Sequence, residues 1–259
     1  MPAPTVFSQP PALLLAAGRG ERMRPLTDHC PKPLLAVQGR PLLAWHLQAL
    51  AQAGVGQVVI NTAWLGAQIS ACFGNVFGLK SAPGKREQLS ILYSHEGQDF
   101  GHALETAGGI ARALAHLGPL FWLAAGDVYA PDFRFDAAAA ERFAASSALA
   151  HLWLVPNPAH HPLGDFGLSP NGLALNLPAD APQPRYTYST IALLKRELFA
   201  QPWCAIAPGN PDGEAAPLGP LLRRAMDAGR VTAEVYGGRW TDVGTPERLA
   251  ALNAAAAAV

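Results

Sequence analysis

Residues 13–34 read LLLAAGRGERMRPLTDHCPKPL, and the change within them from an apolar run to a basic loop rich in glycine and proline decides the fold. The run from Pro11 to Ala17 predicts a buried strand. Gly18 and Gly20 then predict a loop whose backbone N–H groups can approach an anion closely, because neither residue has a Cβ. The first 40 residues hold five basic side chains (Arg19, Arg22, Arg24, Lys32, Arg40) against two acidic ones (Glu21, Asp28). Such a surplus in a chain of zero formal net charge points to an anionic ligand at this loop. Two familiar phosphate loops fail on spacing. The dinucleotide fingerprint needs a third glycine where Met23 stands, and the P-loop needs Gly-Lys-Ser/Thr, which is missing. For G-R-G alone, a glycine turn with solvated arginines remains the plain alternative.

Working outward, β-like runs alternate with helical patterns, the mark of β-α units and a mainly parallel sheet. Pro41 opens a helix carrying Leu43, Leu47 and Leu50. Strands are expected at 55–61, 89–94, 120–125 and 149–155, with helices at 64–73, 105–117 and 137–145. Residues 80–88 read as a surface insertion. From Pro156 to Pro184 proline and glycine become dense and strands short, and helical patterns return at 217–228 and 246–258. No flexible linker separates the two parts, so residues 1–259 are expected to form one domain.

The composition narrows the function. With 259 residues, 50% hydrophobic and 15% charged, the chain can bury a sizeable core and is not of the disordered class. Its charge balance argues against nucleic acid, and its apolar runs are too short for a membrane span. Three widely spaced cysteines without a C-x-x-C pair suit a reducing, cytoplasmic setting, and cleavage after a signal-length segment would remove the glycine loop. Asp127 follows Gly126 at the end of an apolar strand, where open α/β sheets bind ligands, and a hard carboxylate there suits Mg²⁺. His160 and His161 read as loop residues without a third ligand at zinc spacing. His46 reads as a partly exposed neighbour of the core.

The whole segment, strand then A-A-G-x-G-x-R-x-x-P-L-T then P-K-P-L, resembles the signature of sugar-1-phosphate nucleotidyltransferases. The likeness extends in weaker form to Arg248. It implies an α/β, Rossmann-like nucleotidyltransferase fold: a mixed, mostly parallel sheet flanked by helices, with a small C-terminal sugar-binding lobe. Residues 11–150 would form the nucleotide-binding half and 151–259 the sugar-binding half. Carried over residue by residue, Leu15, Ala16, Ala17 and Gly18 would line base and ribose, and Gly20 and Arg22 would hold the triphosphate. Lys32 would bridge toward the sugar phosphate, so that Arg22, Lys32 and Asp127 form the catalytic set. Glu105 and Thr106 would lie near the base, with Glu96 a further contact and Gly126 on the nucleotide side. Asp242, in Trp240-Thr-Asp-Val-Gly-Thr245, would join Asp127 on Mg²⁺, and Asn157 and Asp165 would meet the sugar.

The implied reaction is in-line attack of a sugar 1-phosphate on the α-phosphate of an NTP, releasing pyrophosphate and needing no general base. Residues 22–27, 60–64, 104–110, 155–158 with His160 and His161, 164–166 and 240–244 together resemble most the bacterial branch that transfers uridylyl from UTP to N-acetylmuramate 1-phosphate in cell-wall sugar recycling. A guanylyltransferase acting on mannose or heptose 1-phosphate is the alternative, although its relatives tend to place glycine where Glu105 stands. A nucleotide-sensing subunit without activity is the third reading, against which stand Arg22, Lys32, Asp127 and Asp242. Thr190 departs from the small residue, often glycine, expected at that point.

Overall fold

The computed structural model describes residues 7–80 and 86–257. In chain order the strands are β1 (Ala12–Ala16), β2 (Ala36–Val37), β3 (Arg40–Pro41), β4 (Gln57–Thr62), β5 (Val76–Lys80), β6 (Arg86–His95), β7 (Leu120–Ala125), β8 (Val128–Tyr129), β9 (Ala150–Val155), β10 (Phe166–Leu168), β11 (Ala174–Leu175), β12 (Arg185–Lys195), β13 (Val231–Val235) and β14 (Thr241–Asp242). The α-helices are α1 (Leu42–Gln52), α2 (Gly66–Phe73), α3 (Glu96–Phe100), α4 (Glu105–Ala113), α5 (Ala137–Ala145), α6 (Leu218–Asp227) and α7 (Pro246–Ala257).

Ten strands form one mixed sheet. Its centre is parallel: β1 lies between β7 and β4, and β6 follows β4 in the same direction. Antiparallel β5 closes one edge and antiparallel β12 continues the sheet beyond β7, so the C-terminal strands extend the same surface. Consecutive residues of a strand face opposite sides. Leu13 and Phe121 therefore join one core with α4 and α6, while Leu14 and Trp122 join the other with α1 and Phe143 of α5. Burial on both faces makes the central strands continuous apolar runs; all six residues of β7 are buried.

The expected elements at 120–125 and 137–145 fall on β7 and α5. Helix α5 starts where it does because the Asp136 carboxylate accepts from Ala138 N–H and Ala139 N–H. The expected helix at 105–117 ends sooner, at Ala113, and continues as a 3₁₀ turn over Leu114–His116. The stretch at 80–88 is not simply an insertion. Its two ends belong to β5 and β6, which pair antiparallel, and residues 81–85 lie outside the described residues. The sequence reading gives no strand over β12, the element that couples β7, β9 and β10. Its pattern is broken by a bulge between Tyr188 and Ala192. His46 is not partly exposed: it is fully buried, Nε2 lies 2.9 Å from the Val128 carbonyl, and burial holds its pKa below the ordinary value.

Candidate active site

The carboxyl ends of β1, β4 and β7 open on a cavity of about 650 Å³, on the edge of the sheet where α/β folds take ligands. β1 and its following loop bring Leu15, Ala16, Ala17 and Gly18 to the wall, the start of α4 brings Glu105 and Thr106, and Asp127 stands just beyond β7. Lys32, on a proline-flanked turn, is 8% exposed, and its Nζ donates to Asp127 Oδ2 at 2.5 Å. Seven of the residues singled out in the N-terminal half thus share one cavity with Lys32. The loop between depends on Gly20, whose φ of +67° suits glycine; a Cβ there would lie 3.1 Å from Thr27 Cγ2 and 3.2 Å from Lys32 Cβ.

A buried chain of hydrogen bonds ties two walls together. Ala16 N–H donates to Asn61 Oδ1 at 2.8 Å, Asn61 Nδ2 donates to Glu96 Oε1 at 2.7 Å, and Leu104 N–H donates to Glu96 Oε2 at 2.8 Å. Glu96 is fully buried, so it is a brace and not the base contact expected from sequence. Its carboxyl is pushed above the ordinary range by burial, opposed by the Leu104 N–H and the Asn61 amide. Gly109 leaves the room this chain needs, since a Cβ there would sit 2.5 Å from Glu96 Oε1.

Asp242 approaches from the far end of the chain. β14 pairs antiparallel with β8, setting Asp242 opposite Val128, and Val243 N–H donates to the Asp127 carbonyl at 3.0 Å. The backbones of the two acids are therefore direct neighbours. Asp242 Oδ2 is bonded by Arg248 Nη1, which also lies 3.0 Å from His160 Nε2. His160 Nε2 stands 2.8 Å from the buried Asp242 Oδ1, a contact that is an ion pair when the ring is protonated. The expected loop histidines thus brace acidic residues, for His161 Nε2 likewise meets Asp165 Oδ1 at 3.1 Å.

Asp165 lines the cavity and its Oδ2 accepts from Tyr188 N–H at 2.8 Å. Asn157 does not line it: its amide donates to the carbonyls of Pro162 and Arg185 and accepts from Thr187 Oγ1, holding a loop. Gly20, Arg22, Gly126 and Asp242 also stand outside the cavity lining, and Arg22 is exposed. Of the other loop cations, Arg24 Nε donates to Asp28 at 2.7 Å and the Arg19 guanidinium lies 3.4 Å from the Trp64 ring centroid. Sequence reasoning missed Asn61, Tyr188 and Arg223 in the wall. The departure at Thr190 has a geometric counterpart, because Thr190 lines the cavity with φ +63°, a conformation that favours glycine. Glu105 likewise has φ +54°. Two strained residues in one cavity wall are what functional sites commonly retain.

The MobA-like NTP transferase domain matches residues 12–228. The chain is 44% identical over 253 residues to N-acetylmuramate alpha-1-phosphate uridylyltransferase of Neisseria meningitidis serogroup B, covering 95% of this chain and 98% of that protein. It is 33% identical over 258 residues to the enzyme of the same name from Caulobacter vibrioides, with 96% and 98% covered. Among solved structures, a putative glucose-1-phosphate thymidylyltransferase from Bacillus anthracis superposes with a TM-score of 0.74 at 20% identity, covering 96% of this chain and 95% of that one. That likeness bears on the fold alone.

Proposed function

The chain belongs to the MobA-like NTP transferase family, and from this premise we propose that it transfers uridylyl from UTP to N-acetylmuramate α-1-phosphate, giving UDP-N-acetylmuramate and pyrophosphate. The observation that carries the substrate assignment is the 44% identity sustained over 98% of the Neisseria enzyme. The cavity supports it chemically. Leu15 to Gly18, Glu105 and Thr106 line the cavity and would form the nucleotide side, while Gly20, Arg22 and Gly126, outside its lining, would flank the triphosphate. Asp165 serves the sugar side, with Asn157 supporting its loop; residues 11–150 and 151–259 are the two halves of one domain.

Asp127 and Asp242 fit a magnesium ion. They are hard oxygen donors on neighbouring backbones, and Asp242 Oδ1 is a buried oxygen approached by His160 Nε2 without a hydrogen bond. Mg²⁺ takes one or two carboxylates and completes its shell with phosphates and water. Among the described residues no three His, Cys, Asp or Glu side chains gather as a closed cage. When bound, the ion supplies charge neutralisation at the phosphates. The chain itself positions the reactants. Lys32 brings a cation to the sugar phosphate, and Arg22 adds a second from the loop. The attacking oxygen belongs to a phosphate monoester already ionised near pH 7, so no side chain has to remove a proton.

Among the described residues no helix is long and apolar enough to cross a membrane. Cys30, Cys72 and Cys204 are free, which supports the reading of a reducing compartment, and the proposed substrates are small molecules. Pyrophosphate release across UTP, GTP, CTP and ATP, each with N-acetylmuramate, N-acetylglucosamine, glucose and mannose 1-phosphates, tests the assignment. The expected best pair is UTP with N-acetylmuramate 1-phosphate. Best turnover with GTP and mannose 1-phosphate would reject it, and nucleotide binding without pyrophosphate from any pair would favour the sensing subunit.

A further inference from the structure

We infer that Arg223 is the specificity residue for a carboxylate on the sugar, an inference that rests on the sugar-phosphate reading of the cavity. Two cations line the cavity, Lys32 and Arg223, and they differ in how they are engaged. Lys32 is in contact with Asp127 at 2.5 Å. Arg223 forms no ion pair among the described residues. It is nonetheless held in place. Its Nη1 donates to Asn176 Oδ1 at 2.7 Å, and its guanidinium lies 5.0 Å from the Phe166 ring centroid.

The nearest acid in sequence on the same face, Asp227, is occupied elsewhere, since both of its oxygens accept from Asn176 Nδ2 at 3.0 and 3.2 Å. Asn176 thereby holds Arg223 through its amide oxygen and Asp227 through its amide nitrogen. Leu218 and Leu222, from the same helix, line the cavity beside Arg223 as an apolar surface. A pre-oriented guanidinium with free N–H groups, set among apolar side chains and on the wall shared with Asp165, suits a carboxylate attached to a small alkyl group. A sugar bearing a lactyl ether presents that combination. N-Acetylglucosamine 1-phosphate, which lacks the ether, would leave the guanidinium unpaired.

The test is the ratio of kcat/KM values within one preparation, which cancels any loss of folded protein. Arg223→Gln and Arg223→Lys would be assayed with UTP on N-acetylmuramate 1-phosphate, on its lactyl amide, and on N-acetylglucosamine 1-phosphate. For Arg223→Gln the expected result is a loss on the acid that exceeds the loss on either neutral substrate by about 10- to 100-fold, the range for a lost charged hydrogen bond. Arg223→Lys should recover part of that loss. If wild type prefers the acid and Arg223→Gln keeps the preference, or loses activity equally on all three, this inference fails and the proposed function stands. If wild type does not prefer the acid, both fail.

Discussion

Replacing Asn61 by aspartate probes the buried chain that joins β1 to α4, and its outcome follows from one distance. The substitution preserves shape. One Asp oxygen can still accept from Ala16 N–H, while the other replaces the amide nitrogen 2.7 Å from Glu96 Oε1. Two carboxylates that close cannot both be ionised, so the folded variant must hold one proton between them. The unfolded chain releases that proton above the ordinary Glu value of 4.5. From there upward the folded state binds more protons than the unfolded state, and stability falls as pH rises. At pH 7 the proton is retained about 2.5 units above its unfolded value, which bounds the cost at about 3.4 kcal/mol. Glu96 of the wild type is itself shifted upward by burial, so the difference between the proteins is smaller than this bound. For a protein of this size, at about 2–4 °C per kcal/mol, the bound corresponds to a Tm deficit of at most roughly 7–14 °C at pH 7, closing toward pH 4.5. Paired thermal melts from pH 4.5 to 8 measure it. Parallel Tm curves for the two proteins would refute the claim that the Asn61 amide faces the Glu96 carboxylate.

Asp127→Asn and Asp242→Asn should each lower kcat/KM about 100-fold or more at saturating Mg²⁺ while the far-ultraviolet circular dichroism stays native, and wild-type rates in either variant would remove that residue from the metal site. Thr190→Gly relieves a left-handed β-branched residue, worth about 1–2 kcal/mol, against about 0.5–1 kcal/mol of added chain entropy in the unfolded state. Its Tm should match or exceed wild type, so a fall of several degrees would contradict the strain. Asp136→Ala removes the cap of α5 and should cost about 1 kcal/mol, a Tm loss of roughly 2–4 °C, with kcat/KM unaltered because the residue lies outside the cavity. Altered kinetics at constant NTP and sugar-phosphate affinity would mean that α5 is coupled to the site.

What the sequence makes legible is what depends on near neighbours. β7 is readable because burial on both faces requires six apolar residues in succession, and α5 because its alanine-rich run favours a helix by itself. The glycine loop is readable for the same reason: the residues that shape it lie between Gly18 and Lys32. The site is less legible because its decisive contacts are distant in sequence. Lys32 and Asp127 are 95 residues apart, and nothing local to either implies the other. Asp242 reaches Asp127 only through the pairing of two-residue strands, too short to leave a pattern. Polar residues near a motif are also ambiguous by their nature. Glu96 and Asn157 were both expected to touch substrate, yet their hydrogen bonds are spent inside the protein, because a loop that presents a ligand site must satisfy its own buried backbone. Arg223 shows the converse. On an amphipathic helix an arginine reads as solvated surface, and only the engagement of Asp227 by Asn176 shows that its charge is left without a partner in the cavity. Whether a polar side chain braces or binds is therefore decided by which of its hydrogen bonds remain free once the chain has folded, a property of the tertiary structure and not of the motif.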